Sequence, residues 1–132
     1  IETCEKKLYE LSDKPFGDRL EVMLDEVREE YSQYLLDDFV RPQIYWSKKP
    51  VKGRFAEYDT LKDIIIVNSL LDSDSVPREV IKYLVYHECL HQEFKDGHPK
   101  EFREKEHKYP SFQDMDHYLD YTFRDFYRNV AM

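Results

Sequence analysis

The chain reads as an α+β fold. Three observations carry that reading: a helical apolar stripe over residues 18–36, a β-branched run at residues 64–67, and a nearly all-apolar helix-length segment between Pro77 and Gly97. The predicted order is an N-terminal helix, three strands, a buried helix and C-terminal helices. No internal repeat is present. With three Gly and six Pro in 132 residues there is no low-complexity linker, and the length predicts one domain over 1–132.

From Asp18 to Leu36 the apolar positions Leu20, Met23, Leu24, Val27, Tyr31, Tyr34 and Leu35 recur at three and four, one face of an amphipathic helix. "QIYWS" after Pro42 alternates faces and predicts a strand at 43–47. "KGRFAEY" and "DIIIVN" predict a hairpin, residues 53–58 and 63–68, turning at Asp59–Lys62. Ile64, Ile65, Ile66 and Val67 suit a pleated, buried surface. In "DSDSVP", Ser75 is the expected cap and Pro77 the first turn of a helix running to about residue 95 and stopping at Gly97. Pro99 opens a short helix and Pro110 closes it. Beyond it Phe112, Met115, Leu119, Phe123, Phe126 and Val130 keep helical spacing.

Composition narrows the function. A net charge of −8 argues against a free-standing nucleic-acid binder. No run of about 18 apolar residues occurs, so no membrane span is expected. Cys4 and Cys89 form neither a CxxC pair nor a disulfide framework, which points to a reducing, cytoplasmic setting. The opening "IETCEKKLYE" has no signal-peptide core and no initiator Met, which leaves room for a longer native N-terminus.

The chemistry is concentrated in "VYHECLHQEF", residues 85–94. A helix apolar on most sides is buried, and buried ionisable groups are costly unless paired or bound to metal. His87 and His91 stand one turn apart, so both imidazoles can chelate one ion. Glu88, rotated about 100° from His87, is outside that shell but within reach of a water on it. This HExxH arrangement is how zinc proteases generate a nucleophile: the metal acidifies water and the glutamate takes the proton. Chance would produce about 0.02 such motifs in a chain of this composition.

A catalytic zinc needs a third protein ligand and an open fourth position. The metzincin pattern fails, because Phe94 and Gly97 stand where it requires Gly and His. Gly97 can reverse the chain and return His98 to the metal, at the cap of the helix that Pro99 opens. Glu101 is the alternative third ligand, with Glu104, Glu106 and His107 behind it. One Zn2+ per chain is the expected cofactor.

The segment "IIIVNSLLDSDSVPREVIKYLVYHECLHQEFKDGHPKEF" resembles the SprT-like, WLM and minigluzincin group of small zincin metallopeptidases. The likeness covers about residues 44–103, and its features are a strand ending in Asn, the "VPREVI" lead into the helix, HECLH and the following "GHPKEF". The resemblance implies a zincin-like fold with an N-terminal helix, a three-stranded sheet, the active-site helix and C-terminal helices. It implies His87 and His91 as ligands and Glu88 as general base. The SprT-like pattern makes His98 the third ligand, and the minigluzincin pattern favours Glu101. The SprT-type zinc ribbon is missing, and the acidic charge speaks against a DNA-repair role.

The expected activity is therefore zinc-dependent peptide hydrolysis, with a peptide or protein substrate extended along the edge strand of the hairpin. Two alternatives stand beside it: a non-catalytic module stapled by zinc, and a latent peptidase blocked by its own terminal segment. Packing of the tail on the core is the favoured reading of its apolar stripe. Cys89 is expected to be a buried thiol and Cys4 an ordinary terminal cysteine rather than an inhibitory one. Tyr58, Tyr109, His107 and His117 are the candidates for stabilising an oxyanion.

Overall fold

Along α1 (Arg19–Glu30) one face is apolar, and Leu20, Met23, Leu24 and Val27 are buried there. The computed structural model describes residues 19–124; Asp18, the expected first residue of this helix, lies outside them. The helix ends at Glu30 instead of continuing to Leu36, and a 3-10 turn, Ser32–Tyr34, follows. Beyond Tyr31 the N–H groups of Tyr34 and Leu35 bond three residues back, to Tyr31 and Ser32, so the α ladder gives way to the tighter turn. The Tyr31 ring stays on the core face, meeting Tyr86 at 4.6 Å and stacking on Tyr109 at 5.4 Å. Arg41 then ties the returning chain to α1 through Asp25, at 2.6 Å, and Glu21.

Strand β1 (Gln43–Trp46) pairs in parallel with β3 (Ile64–Val67), and β2 (Ala56–Asp59) pairs antiparallel with β3, giving the order β1-β3-β2. The β-branched run takes the central place that its two apolar faces demand. Ile65 and Val67 enter the main core, whereas Ile66 meets Val51 on the opposite face. The expected hairpin forms with shorter strands. Asp59 shapes its turn by accepting from the backbone N–H of Leu61, at 2.9 Å, and of Lys62, at 3.1 Å. Past β3, buried Asn68 accepts from Val51 N–H at 3.1 Å and donates to the carbonyl of Arg54 at 2.8 Å. That fixes the loop leading into β2, which is an edge of the sheet among the described residues.

Helix α2 (Arg78–Leu90) is buried over nearly its whole circumference. Ser75 is not its cap: the Ser75 hydroxyl pairs with that of Ser73 at 2.9 Å, and extended Pro77 precedes the helix. The helix stops at Leu90 rather than near residue 95. The N–H groups of His91, Gln92 and Glu93 bond three residues back, to Glu88, Cys89 and Leu90, which tightens the last turn and ends it. Helix α3 (Lys100–Glu106) follows Pro99, and α4 (Phe112–Thr122) follows Ser111. The expected continuation through Phe126 and Val130 lies outside the described residues. α2 is the central element, packed against α1, β2, β3, α3 and α4. The architecture is α+β: four helices and a three-stranded sheet among the described residues. None of these helices is long and apolar enough to cross a membrane.

Candidate metal centre

His87 sits in the last turn of α2 and His91 caps its end, so helical spacing alone turns both rings towards one point. His98 arrives from the other side. Gly97, at φ +75°, is in the left-handed conformation that glycine adopts without strain, and Pro99 then redirects the chain into α3. A Cβ at Gly97 would meet nothing within 4 Å, so the demand for glycine is conformational.

The three histidines each offer a nitrogen within 4.8 Å of the others, close enough to hold one metal ion. Their ring centroids are 5.1 Å (His87–His91), 5.1 Å (His87–His98) and 4.9 Å (His91–His98) apart. Beneath them lies Phe102, fully buried, with its ring 4.9, 4.7 and 4.9 Å from those of His87, His91 and His98. An apolar floor of this kind holds the rings without competing for their lone pairs.

The outer nitrogens fix the tautomers. His87 Nδ1 is 2.5 Å from Glu106 Oε2 and donates to it, while His91 Nδ1 donates to the Phe94 carbonyl at 2.8 Å. Both Nε2 lone pairs are thereby left for a ligand, the usual arrangement at metal sites. His87 Nε2 and His98 Nε2 are 3.3 Å apart. Two nitrogens on one tetrahedral ion at about 2.05 Å are separated by about 3.3 Å, so the donor set fits a divalent cation of that geometry.

Charge follows geometry. Burial opposes protonation of His87, but the Glu106 hydrogen bond and the negative charges of Glu88 and Glu106 outweigh it and raise its pKa. Burial pushes His91 down to about 4, and it also lowers His98, with the neighbouring His87 charge assisting. Glu106 is nearly inaccessible, which would raise its carboxyl. Hydrogen bonds from His87 and from Arg103, the latter at 2.7 Å, reverse that and hold it at about 2.

Glu88 is the exception to this pattern of pairing. Its side chain is 8% exposed, and its Oε2 comes no closer than 3.9 Å to His87 Nε2. Among the described residues its carboxylate has no hydrogen bond. Burial raises it to about 7, against the pull of the His87 charge. It lines two cavities that flank the histidines, of about 390 Å3 and 270 Å3, which share Ala56, His87, Glu88 and His98. Edge strand β2 forms one wall of both.

His98 thus joins His87 and His91, and Glu101 does not: it is exposed on α3 and stands outside the cluster. Glu106, ranked behind them as a ligand, instead supports His87 from outside, and His107 stacks on Phe112 at 4.0 Å. Of the candidates for the oxyanion, Tyr58 lines the smaller cavity, with its hydroxyl given to Asp63. Tyr109 spends its hydroxyl on Glu79, and His117 stacks on Tyr121. Tyr83 was not among them, yet it lines the larger cavity and donates to Asp116 at 2.9 Å. Its place four residues before His87, on the same helical face, was the available signal. Cys89 is buried and unpaired, its thiol pushed up by burial, as expected. Cys4 lies outside the described residues.

No protein-family model matches the chain, and no curated protein matches it. Function is therefore read from the centre's own geometry.

Proposed function

We propose that the protein is a zinc-dependent peptidase of zincin-like fold, with His87, His91 and His98 as ligands and Glu88 as general base. The observation that carries this reading is Glu88: a buried carboxylate without a hydrogen bond among the described residues, beside three converging imidazoles and open to a cleft. A purely structural metal site needs no such group, and burying it unpaired is destabilising. Residues held at a destabilising pKa in a cleft are the mark of a working site. An all-imidazole donor set suits zinc among the common divalent ions.

Bound zinc would supply the Lewis acid that acidifies water and polarises the scissile carbonyl. Glu88, held near neutrality, accepts the proton as the water oxygen bonds to the carbonyl carbon, and returns it to the departing amine. Glu106 keeps His87 in the tautomer that leaves Nε2 free. β2 offers its free edge to an extended substrate, whose main chain then lies across the histidines. Among the described residues three histidines and no fourth ligand form the cluster, which supports an open site over a zinc staple. The unpaired Cys89 supports a reducing, cytoplasmic setting.

The test is Glu88→Gln. The variant should keep its zinc, measured by mass spectrometry of the native protein, and lose peptide hydrolysis by at least about tenfold. Retained turnover would remove Glu88 as the base, and absence of hydrolysis by the zinc-loaded wild type across an unbiased peptide library would favour the structural reading.

A further inference from the structure

The larger cavity beside the histidines has walls of two kinds. Phe55, Leu84 and Leu119 are buried apolar side chains that line it. At its rim stand charged groups from three elements: Arg54 ahead of β2, Arg103 on α3, and Asp116 and Asp120 on α4. The arginines are already answered, Arg54 by Glu57 at 2.5 Å and Arg103 by Glu106 at 2.7 Å. Among the described residues neither aspartate is paired with a cation: Asp116 accepts the Tyr83 hydroxyl, at 2.9 Å, and Asp120 lies one helical turn further along the same face. This side of the centre is therefore anionic. The smaller cavity, on the other side, has both Lys95 and Glu57 in its lining.

The cavity opens onto the centre itself: Glu88, nine-tenths buried and without a hydrogen bond among the described residues, borders it together with His87 and His98, as it does the smaller cavity. An apolar trough ending in carboxylates is complementary to one class of side chain, a cation on a hydrocarbon stem. Such side chains lay their methylenes on apolar surface while the charged end stays at the wet rim. A glutamate would face repulsion there, and a short apolar residue would leave the rim charges unmet.

We propose that this cavity is a specificity pocket for a lysyl or arginyl side chain of the substrate, its stem on Phe55, Leu84 and Leu119 and its charge at Asp116 and Asp120. The proposal rests on the peptidase reading, because it gives the substrate that reading requires a preferred residue beside the scissile bond. Asp116 and Asp120 place the cationic residue on the α4 side, whereas the opposite cavity carries both a cation, Lys95, and an anion, Glu57.

The experiment measures binding, not turnover. Peptide hydroxamates that differ only in carrying lysine, norleucine or glutamate next to the zinc-binding group are titrated calorimetrically into the zinc-loaded full chain. Lysine should bind about three- to tenfold tighter than norleucine, and glutamate weakest, as for a partly exposed ion pair. The lysine-to-norleucine ratio should fall towards one in Asp120→Asn and in high salt, and Asp120→Lys should reverse the order of lysine and glutamate. A ratio of one in the wild type, or one that Asp120→Asn and Asp116→Asn leave unchanged, overturns the pocket assignment and leaves the peptidase reading standing. If no hydroxamate binds while zinc is present, the open metal site itself fails, and both readings fall.

Discussion

Glu106 accepts a hydrogen bond from His87 Nδ1 at 2.5 Å, across nineteen residues of sequence and between two helices. The same carboxylate takes Arg103 at its other oxygen, so α3 presents a fixed, charged acceptor to the metal-facing ring. Outer partners of this kind orient a ligand and raise its basicity. Glu106→Ala should therefore weaken zinc binding by about 10- to 100-fold, measured by competition with a chromophoric chelator near neutral pH. Glu106→Gln keeps an acceptor without the charge and should lose less. Affinities within twofold of the wild type in both variants would reduce the contact to packing.

Glu88 predicts an opposite pairing of stability and function. Its carboxyl is held at about 7 in the fold and belongs near 4.5 in the unfolded chain. The folded protein thus binds this proton more tightly than the unfolded one. Stability falls as pH rises from 4.5 towards 7 and stays reduced above it. Glu88→Gln removes the effect. The metal-free variant should gain about 1–3 kcal/mol over the wild type near pH 8, with the gain shrinking towards pH 5. Urea melts across that range test the point, and a gain that does not vary with pH would refute it.

The choice of third ligand is decided by two substitutions. His98→Ala removes a member of the histidine cluster and should lower zinc affinity by orders of magnitude. Glu101→Ala touches an exposed residue in the first turn of α3 and should cost about 1 kcal/mol or less of stability, with zinc content unchanged. The reverse pattern, read by metal analysis and thermal melts, would transfer the role to Glu101.

What the sequence made legible divides along a physical line. His87, Glu88 and His91 could be placed because helical spacing fixes their directions locally, and His98 because Gly97 and Pro99 constrain the same short stretch. β3 was legible from its four β-branched residues. The ends of α1 and α2 were not, since the apolar spacing runs on past the points where each helical ladder tightens to bonds three residues back. Glu106 could be named as an acid near the centre, but its role depends on the docking of α3 against α2. Phe102 is similar: it reads as one more apolar residue until three imidazoles are seen to rest on it.

The last prediction concerns the segment after Pro110, whose apolar stripe could cover either the core or the substrate cleft. α4 does the first with one face: Leu119 is buried, Phe112, Met115 and Tyr118 pack on the core, and Phe123 meets Phe55 at 5.6 Å. With another face it builds a wall of the cleft, where Asp116 and Asp120 line the cavity and leave about 390 Å3 open beside the histidines. Over its described residues, 111–124, the segment is a wall and not a plug. Truncation at Ser111 should uncover Tyr83 and Leu84 along α2, lower the melting temperature sharply and raise no activity. Because so large a deletion can simply fail to fold, Leu119→Ala gives the graded form of the test. It should lose about 2–4 kcal/mol by chemical denaturation, as for other buried leucines, without any rise in turnover per folded molecule. A well-folded truncation with increased peptidase turnover would instead make the segment an inhibitor, and the core contacts of α4 dispensable.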